Sequence, residues 1–74
     1  MKSRMEMMCS LLGENVRAFR QELGLSQEEL AFRAELDRTY ISQIERGVSN
    51  PSLLVLIKIS SVLKVELVDL LSKN

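Results

Sequence analysis

Side chains that can read DNA bases stand close together between Arg38 and Arg46. On a helix of 3.6 residues per turn, Arg38, Thr39 and Gln43 fall on one face. An arginine can bond the O6 and N7 of guanine together, a glutamine can bond the N6 and N7 of adenine, and a threonine methyl suits the thymine methyl. These types and this spacing predict direct contact between the three side chains and the edges of base pairs.

Further polar residues around this face are candidates for contact with DNA phosphates. Gln27 falls in the first turn of another predicted helix, where its amide and the free N–H groups of the helix end can meet one phosphate. The other candidates are Tyr40, Ser42, Arg46, Ser49 and Asn50. Taken singly, each is more often part of a solvated helix face, and Tyr40 could instead pack on the scaffold. The prediction therefore depends on their combined position.

Two helices joined by a tight turn are needed to position these side chains. Ser26 and Glu29 have the spacing of a capping box, which predicts the start of the first of them. Asp37 is the predicted N-cap of the second, and Gly47 ends it. The predicted inner residues of this helix-turn-helix unit are Leu30, Ala31, Ala34, Leu36, Ile41 and Ile44.

The rest of the chain predicts an all-α fold, a compact five-helix bundle in which residues 1–74 form a single DNA-binding domain with C-terminal dimerisation helices. Apolar residues recur at helical spacing and no stretch alternates like a strand.

The first helix begins in or before the methionine-rich head and ends at Gly24. The fourth begins at Pro51, in its first turn, and ends near Leu63. A short fifth helix covers about Glu66 to Leu71. The expected inner residues of the first helix are Leu12, Val16, Phe19 and Leu23.

The fourth predicted helix is apolar around more of its circumference than one subunit needs. One stripe is assigned to the core and consists of Leu53, Leu56, Ile57 and Leu63. An offset stripe, together with the fifth helix, is predicted to bury itself against a second copy of the chain. This predicted dimer interface consists of Val55, Ile59, Val62, Leu67, Val68 and Leu71. A helix that is fully buried within one subunit remains the alternative.

Composition argues against several other classes of protein. Ten lysines and arginines balance ten aspartates and glutamates, so the chain is not a polycation that coats nucleic acid. With no histidine, no glycine-rich phosphate loop and no base near Ser26 or Ser42, an enzyme is not expected. Cys9 is the single cysteine, which excludes an intrachain disulfide. Its thiol is either a half-buried bystander or redox-active. No metal site and no cofactor are expected.

The sequence also lacks the marks of export or membrane insertion. Lys2 and Arg4 are followed by a short stretch that Glu6 interrupts, which is not the apolar run of a signal peptide. The longest apolar runs, such as Leu53 to Ile57, are too short to span a bilayer. A cytoplasmic location with no membrane partner is the expectation.

The motif LGLSQEELAFRAELDRTYISQIERGVSNPS resembles the helix-turn-helix family of phage Cro and phage repressors, and the likeness covers roughly Leu12 to Leu71. The segment DRTYISQIERG, in a chain this short, is similar to the controller proteins of bacterial restriction–modification systems. That resemblance implies small all-helical dimers that regulate their own gene and the endonuclease gene. Tyr40 departs from phage repressors, which often have a smaller residue there, and agrees better with the controllers.

Residue by residue, the resemblance implies the same contacts that the residue types predict. Gln27 would contact a phosphate, and base readout would fall to Arg38, Thr39 and Gln43. The resemblance further implies a partly buried ion pair between Arg20 and Glu45, which would neutralise a carboxylate next to the DNA.

The predicted function is that of a homodimeric, sequence-specific transcriptional regulator that controls restriction–modification genes. It would activate and repress from near-palindromic double-stranded operators, with two dimers on adjacent sites. Glu28 is a candidate contact to RNA polymerase, although a solvated acidic residue at a helix N-terminus explains it equally well. The alternatives are an antitoxin or phage-type repressor of the same fold, or an adaptor that binds proteins rather than DNA.

Overall fold

The computed structural model describes residues 1–73. Their helices are α1 (Arg4–Glu22), α2 (Gln27–Ala34), α3 (Arg38–Glu45), α4 (Leu53–Leu63) and α5 (Leu67–Leu70). No strand occurs in this part of the chain. The predicted all-α class and the predicted order of five helices are confirmed.

Capping boxes begin both α1 and α2. The Ser26 hydroxyl accepts from the Glu29 N–H at 3.0 Å, and the Ser26 N–H donates to the Glu29 carboxylate at 2.9 Å. Ser3 and Glu6 make the same exchange at 3.1 and 3.0 Å. Because this second box fixes the start of α1, most of the methionine-rich head is helical.

The turn between α2 and α3 depends on a left-handed residue. Glu35 has φ 58°, and the N–H of Leu36 then donates to the Ala31 carbonyl at 2.8 Å. Leu36 packs against the core, as predicted. The predicted side-chain cap at Asp37 is wrong, since Asp37 occupies the N-cap position without a cap hydrogen bond. Because Asp37 is exposed, solvent can satisfy the first N–H groups of α3.

Every helix contributes side chains to the core. Its fully buried side chains are Val16, Leu30, Ile41, Ile44, Ile59 and Leu70. Leu23, predicted to face inward, is 43% exposed, and Leu25 is buried in its place. The reason is that α1 ends at Glu22, so Leu23 falls outside its inner stripe. The backbone then reverses at Gly24, which has φ +69°.

The start of α4 also differs from the prediction. Ser52 is the N-cap, and its hydroxyl accepts from the Val55 N–H at 3.2 Å. Pro51 therefore precedes the helix and is not in its first turn. A serine hydroxyl can accept this bond and a proline cannot, which explains the shift of the boundary.

The assignment of the α4 stripes was wrong in part. Ile59, predicted to lie in the dimer interface, is completely buried in the subunit core beside Leu56 and Leu63. These three residues are spaced three and four apart and so share one helix face. Leu53 and Ile57, predicted to be core, are exposed, as is Leu54.

The remaining predicted interface residues divide into two groups. Val55, Val62 and Leu67 are partly buried and pack against the core of their own subunit. Val68 is 65% exposed and Leu71 is 37% exposed. The exposed apolar side chains of α4, α5 and the residue that follows α5 are Leu53, Leu54, Ile57, Val68 and Leu71, and we call this set the apolar end.

Candidate nucleic-acid interface

The three side chains predicted to read bases lie on the outer side of α3. Arg38 and Thr39 are exposed and Gln43 is half-buried, while Ile41 and Ile44 anchor the opposite side of the helix in the core. None of the three makes a side-chain hydrogen bond to any residue from 1 to 73. Their hydrogen-bonding groups are therefore open to an external partner.

The predicted phosphate contacts differ in exposure. Arg46 and Asn50 are exposed, whereas Ser42 and Ser49 are half-buried. We call the surface formed by these residues, Gln27 and the base-reading side chains the reading face.

Tyr40 belongs more to the scaffold than the other phosphate candidates do. It is half-buried, packs against the core, and lines a shallow cleft between α2 and α3 with Ala31 and Leu36. The packing of the ring supports the scaffold interpretation, and a contact from the hydroxyl to a phosphate stays a prediction.

A buried carboxylate holds the reading face together. Glu45, the last residue of α3, has a side chain with no exposed surface. Arg20 donates from Nε to Glu45 Oε2 at 2.6 Å and from Nη2 to Oε1 at 3.0 Å. Its Nη1 donates to the Leu25 carbonyl at 2.7 Å. The ion pair implied by the resemblance is therefore present, and it ties α1 to the end of α3.

Two further donors reach the same carboxylate. Gln27 Nε2 donates to Glu45 Oε1 at 3.0 Å, which engages part of the amide that was predicted to contact a phosphate. Arg17 Nε donates to Oε1 at 3.4 Å, a contact that sequence reasoning missed. Helices α1, α2 and α3 therefore converge on one side chain.

The ionisation of Glu45 follows from these contacts. Burial alone would raise the pKa of Glu45, but hydrogen bonds from Arg20 and Gln27 and the charge of Arg20 outweigh it. The pKa of Glu45 is accordingly lowered, so the group is a carboxylate at neutral pH. The same bond raises the pKa of Arg20.

Gly13 lets α1 and α3 approach each other closely, which the sequence did not reveal. A Cβ atom at this position would lie 2.4 Å from the Ile44 carbonyl oxygen and 2.6 Å from that of Glu45. Both atoms belong to the backbone and cannot rotate away. A glycine within a predicted helix, where alanine would be favoured by about 1 kcal/mol, was the available signal.

Asn15 is a second buried residue that sequence reasoning missed. Its Nδ2 donates to the carbonyls of Leu70 and Ser72, at 2.9 and 2.8 Å. The side chain is almost fully buried and connects α1 to the end of α5. Asn15 therefore fixes the apolar end relative to the helix that carries Arg20.

Residues 1–73 contain no cluster of histidine, cysteine, aspartate and glutamate that could hold a metal ion. Cys9 is half-buried and lines an apolar groove with Met5, Met8 and Leu71. In the same part of the chain, no helix combines the length and hydrophobicity needed to cross a bilayer.

An anchored first helix, a left-handed turn and a second helix with a free polar face define a helix-turn-helix DNA-binding domain. The sequence model described as "Helix-turn-helix" matches residues 16–70, and the chain belongs to this family. It is accordingly a helix-turn-helix DNA-binding transcriptional regulator and not an enzyme.

Its relatives include proteins that control restriction–modification systems. Control protein C.BamHI of Bacillus amyloliquefaciens is 52% identical over 62 residues, which cover 82% of this chain and 76% of that protein. The controller C.AhdI of Aeromonas hydrophila has a similar structure, with a TM-score of 0.81 and 40% identity over 84% of this chain and 94% of that one. The biofilm regulator SinR, solved in complex with DNA, gives a TM-score of 0.79 and 40% identity over 82% of this chain and 98% of that one.

Proposed function

We propose that the chain is a homodimeric controller of restriction–modification genes that acts on near-palindromic operators in the bacterial cytoplasm. The likeness to C.BamHI and C.AhdI supports the choice of genes. The observation that carries the proposal is the reading face. Its Arg38 and Thr39 are exposed and make no side-chain hydrogen bond within residues 1–73, and the buried Glu45 fixes the other end of the helix that carries them.

The division of labour on the reading face follows the chemistry of its side chains. Arg38, Thr39 and Gln43 contact base edges in the major groove. The phosphate contacts are made by Gln27, Ser42, Arg46, Ser49 and Asn50. The bond between Gln27 and Glu45 uses one amide N–H of Gln27 and leaves the second for a phosphate.

A second copy of the chain binds at the apolar end. Val68 and Leu71 are exposed there, as are Leu53, Leu54 and Ile57 of α4. A two-fold dimer buries such a surface and places two reading helices on successive major grooves, about 34 Å apart. This spacing requires a near-palindromic operator, and two such dimers occupy adjacent sites.

The outer side of α2 contacts RNA polymerase when the dimer activates. Glu28 is exposed there, and Phe32, one helical turn further on, is 84% exposed. Aromatic residues, phenylalanine among them, are enriched where proteins contact one another. Glu28→Lys should bind the operator normally and fail to activate transcription in vitro. Normal activation by this variant would refute the contact and leave Glu28 as a solvated residue.

An antitoxin, a phage-type repressor and a protein-binding adaptor are the competing functions. The exposed Phe32 favours some protein partner, which keeps the antitoxin as the second candidate. Neighbouring genes distinguish these functions: a methyltransferase and an endonuclease support the controller, and a toxin gene supports the antitoxin.

Footprinting on the DNA upstream of the chain's own gene tests the proposed function. We expect protection of a segment with two-fold symmetry, and twice that length where two dimers bind side by side. Binding to this DNA that is no tighter than binding to a random duplex would contradict the proposal.

A further inference from the structure

We propose that Arg17, on α1, contacts a DNA phosphate beside the phosphate contact that is proposed for Gln27. The inference rests on the proposed reading face and extends it to a helix outside the helix-turn-helix unit. It depends on three observations: the position of Arg17, the charge of its cluster, and the free part of its guanidinium.

Arg17 lies at the edge of the reading face. Its Nε and the Nε2 of Gln27 bond the same atom, Glu45 Oε1, at 3.4 and 3.0 Å. The two nitrogens can therefore be no further apart than the sum of these two distances, about 6.4 Å. Donors at such a separation can reach the same phosphate group or its immediate neighbourhood.

The charge of the cluster leaves one cation in excess. Glu45 is already matched by Arg20, which makes two short hydrogen bonds to it and whose side chain is only 11% exposed. Arg17 is a second arginine on the same carboxylate, and its side chain is 53% exposed. The surplus positive charge of Arg17, Arg20 and Glu45 therefore lies at the surface, on Arg17.

The part of Arg17 that suits a phosphate is unoccupied. Only Nε bonds Glu45, and Nη1 and Nη2 make no hydrogen bond to residues 1–73. An arginine fork recognises phosphate oxygens through such paired N–H groups. The contact with Glu45 restrains the side chain before binding, which reduces the entropy lost when a phosphate is bound.

The experiment compares Arg17→Gln with wild-type protein on two DNA probes, the segment upstream of the gene and a random duplex of about 30 base pairs. Fluorescence anisotropy gives the affinity at several salt concentrations. Since each phosphate contact contributes about 0.9 to the slope of log K against log salt, we expect the slope to fall by about 0.9 per bound subunit. At 0.1 M salt this corresponds to a loss of about tenfold per bound subunit, equal on both probes.

Two further variants make the test specific. Arg17→Lys keeps the charge and should retain most of the salt slope. Arg33→Gln removes an arginine that is also exposed but lies on α2 away from Gln27, and it should leave the slope unchanged. Thermal unfolding of each variant reports separately on the fold.

The outcomes separate this inference from the proposed function. An unchanged slope in Arg17→Gln, with or without a lower Tm, would assign Arg17 to the scaffold and overturn the inference. A loss confined to the upstream segment would also overturn it, because a phosphate contact does not depend on sequence. A reduced slope on both probes supports the inference even if the upstream segment proves not to be the operator. Wild-type protein that binds neither probe would refute the reading face and the role of Arg17 together.

Discussion

The reading face and the apolar end are stabilised in opposite ways. At the reading face, polar groups are fixed from within: Glu45 is fully buried and accepts hydrogen bonds from Arg20, Gln27 and Arg17. At the apolar end, the residues that are not needed for the core stay exposed, with Val68 as the clearest case. The polar groups of the first region are therefore bonded within one subunit, while burial of the exposed side chains of the second region against a partner would be favourable.

This difference fits the separate roles that we propose for the two regions. The proposed base readout needs side chains in a defined position, which a buried ion pair and the close backbone approach at Gly13 favour. The proposed dimerisation depends on apolar area and shape complementarity, and exposed aliphatic residues offer the apolar area. Substitutions at the reading face should therefore change the stability of the subunit and its DNA binding. Substitutions at the apolar end should first lower the mass of the assembly in solution.

The largest expected effect is at the buried ion pair. Arg20→Ala leaves Glu45 buried without its main partner, and we expect the free energy of unfolding to fall by about 3–5 kcal/mol. Arg17→Ala is the matched control on the same carboxylate and should cost less than about 1 kcal/mol, because Arg17 is half-exposed. Urea unfolding at pH 7 measures both. Similar small losses in the two variants would show that the pair does not hold the reading face.

A charge at the apolar end tests the other side of the comparison. Val68→Lys should prevent burial of this side chain in the dimer and weaken association by about 1.5–3 kcal/mol. Sedimentation should then show a lower mass, and operator binding should weaken with it. The unfolding free energy should be unchanged at a concentration low enough for wild type and variant both to be monomeric. Leu23→Lys is the control, since Leu23 is also exposed but lies at the far end of α1. A mass shift in both variants, or in neither, would contradict the assignment of the interface.

The expected loss of free energy at Gly13 is comparable to that at Val68 or smaller. Gly13→Ala adds a Cβ that would lie 2.4 Å from the Ile44 carbonyl oxygen, so α1 and α3 must separate. We expect a loss of about 1–3 kcal/mol in chemical unfolding, despite the higher helix propensity of alanine. Gly24→Ala meets no atom within 4 Å and should not disturb α3, although alanine at this positive φ costs about 1–2 kcal/mol. A Gly13→Ala protein more stable than wild type would refute the close packing.

The smallest expected effect is a pH dependence from Glu45. Its pKa is lower in the folded protein than the ordinary value of 4.5, so its ionised form stabilises the fold above that pH. This contribution is lost as the pH falls through the folded pKa. The unfolding free energy of Glu45→Gln should therefore decline less between pH 7 and pH 3 than that of wild type. Equal declines would show that Glu45 is not preferentially ionised in the fold.

The helix-turn-helix unit was predictable because its signals are local. Ser26 and Glu29 mark the start of α2 by their own side chains, and Gly47 marks the end of α3 by its backbone. The inner residues of both helices follow from their spacing alone. The polar types on α3 then identified the face that could contact DNA, since the inward positions were already taken.

The errors fall where local signals do not decide the structure. On α4, apolar residues occupy most of the circumference, so periodicity could not show that Ile59 rather than Ile57 faces the core. The closeness of α1 and α3 at Gly13, and the contact of Arg17 with Glu45, depend on tertiary packing between residues distant in sequence. No spacing rule within one helix reports such contacts.

The most direct test of the reading face is the effect of Arg38→Ala on specificity. Binding to the DNA upstream of the chain's own gene should weaken by about 1–3 kcal/mol, while binding to a random duplex at the same salt concentration stays nearly unchanged. That result would show that α3 reads base edges through Arg38. An equal loss on both duplexes would contradict it and make Arg38 a contact to the DNA backbone.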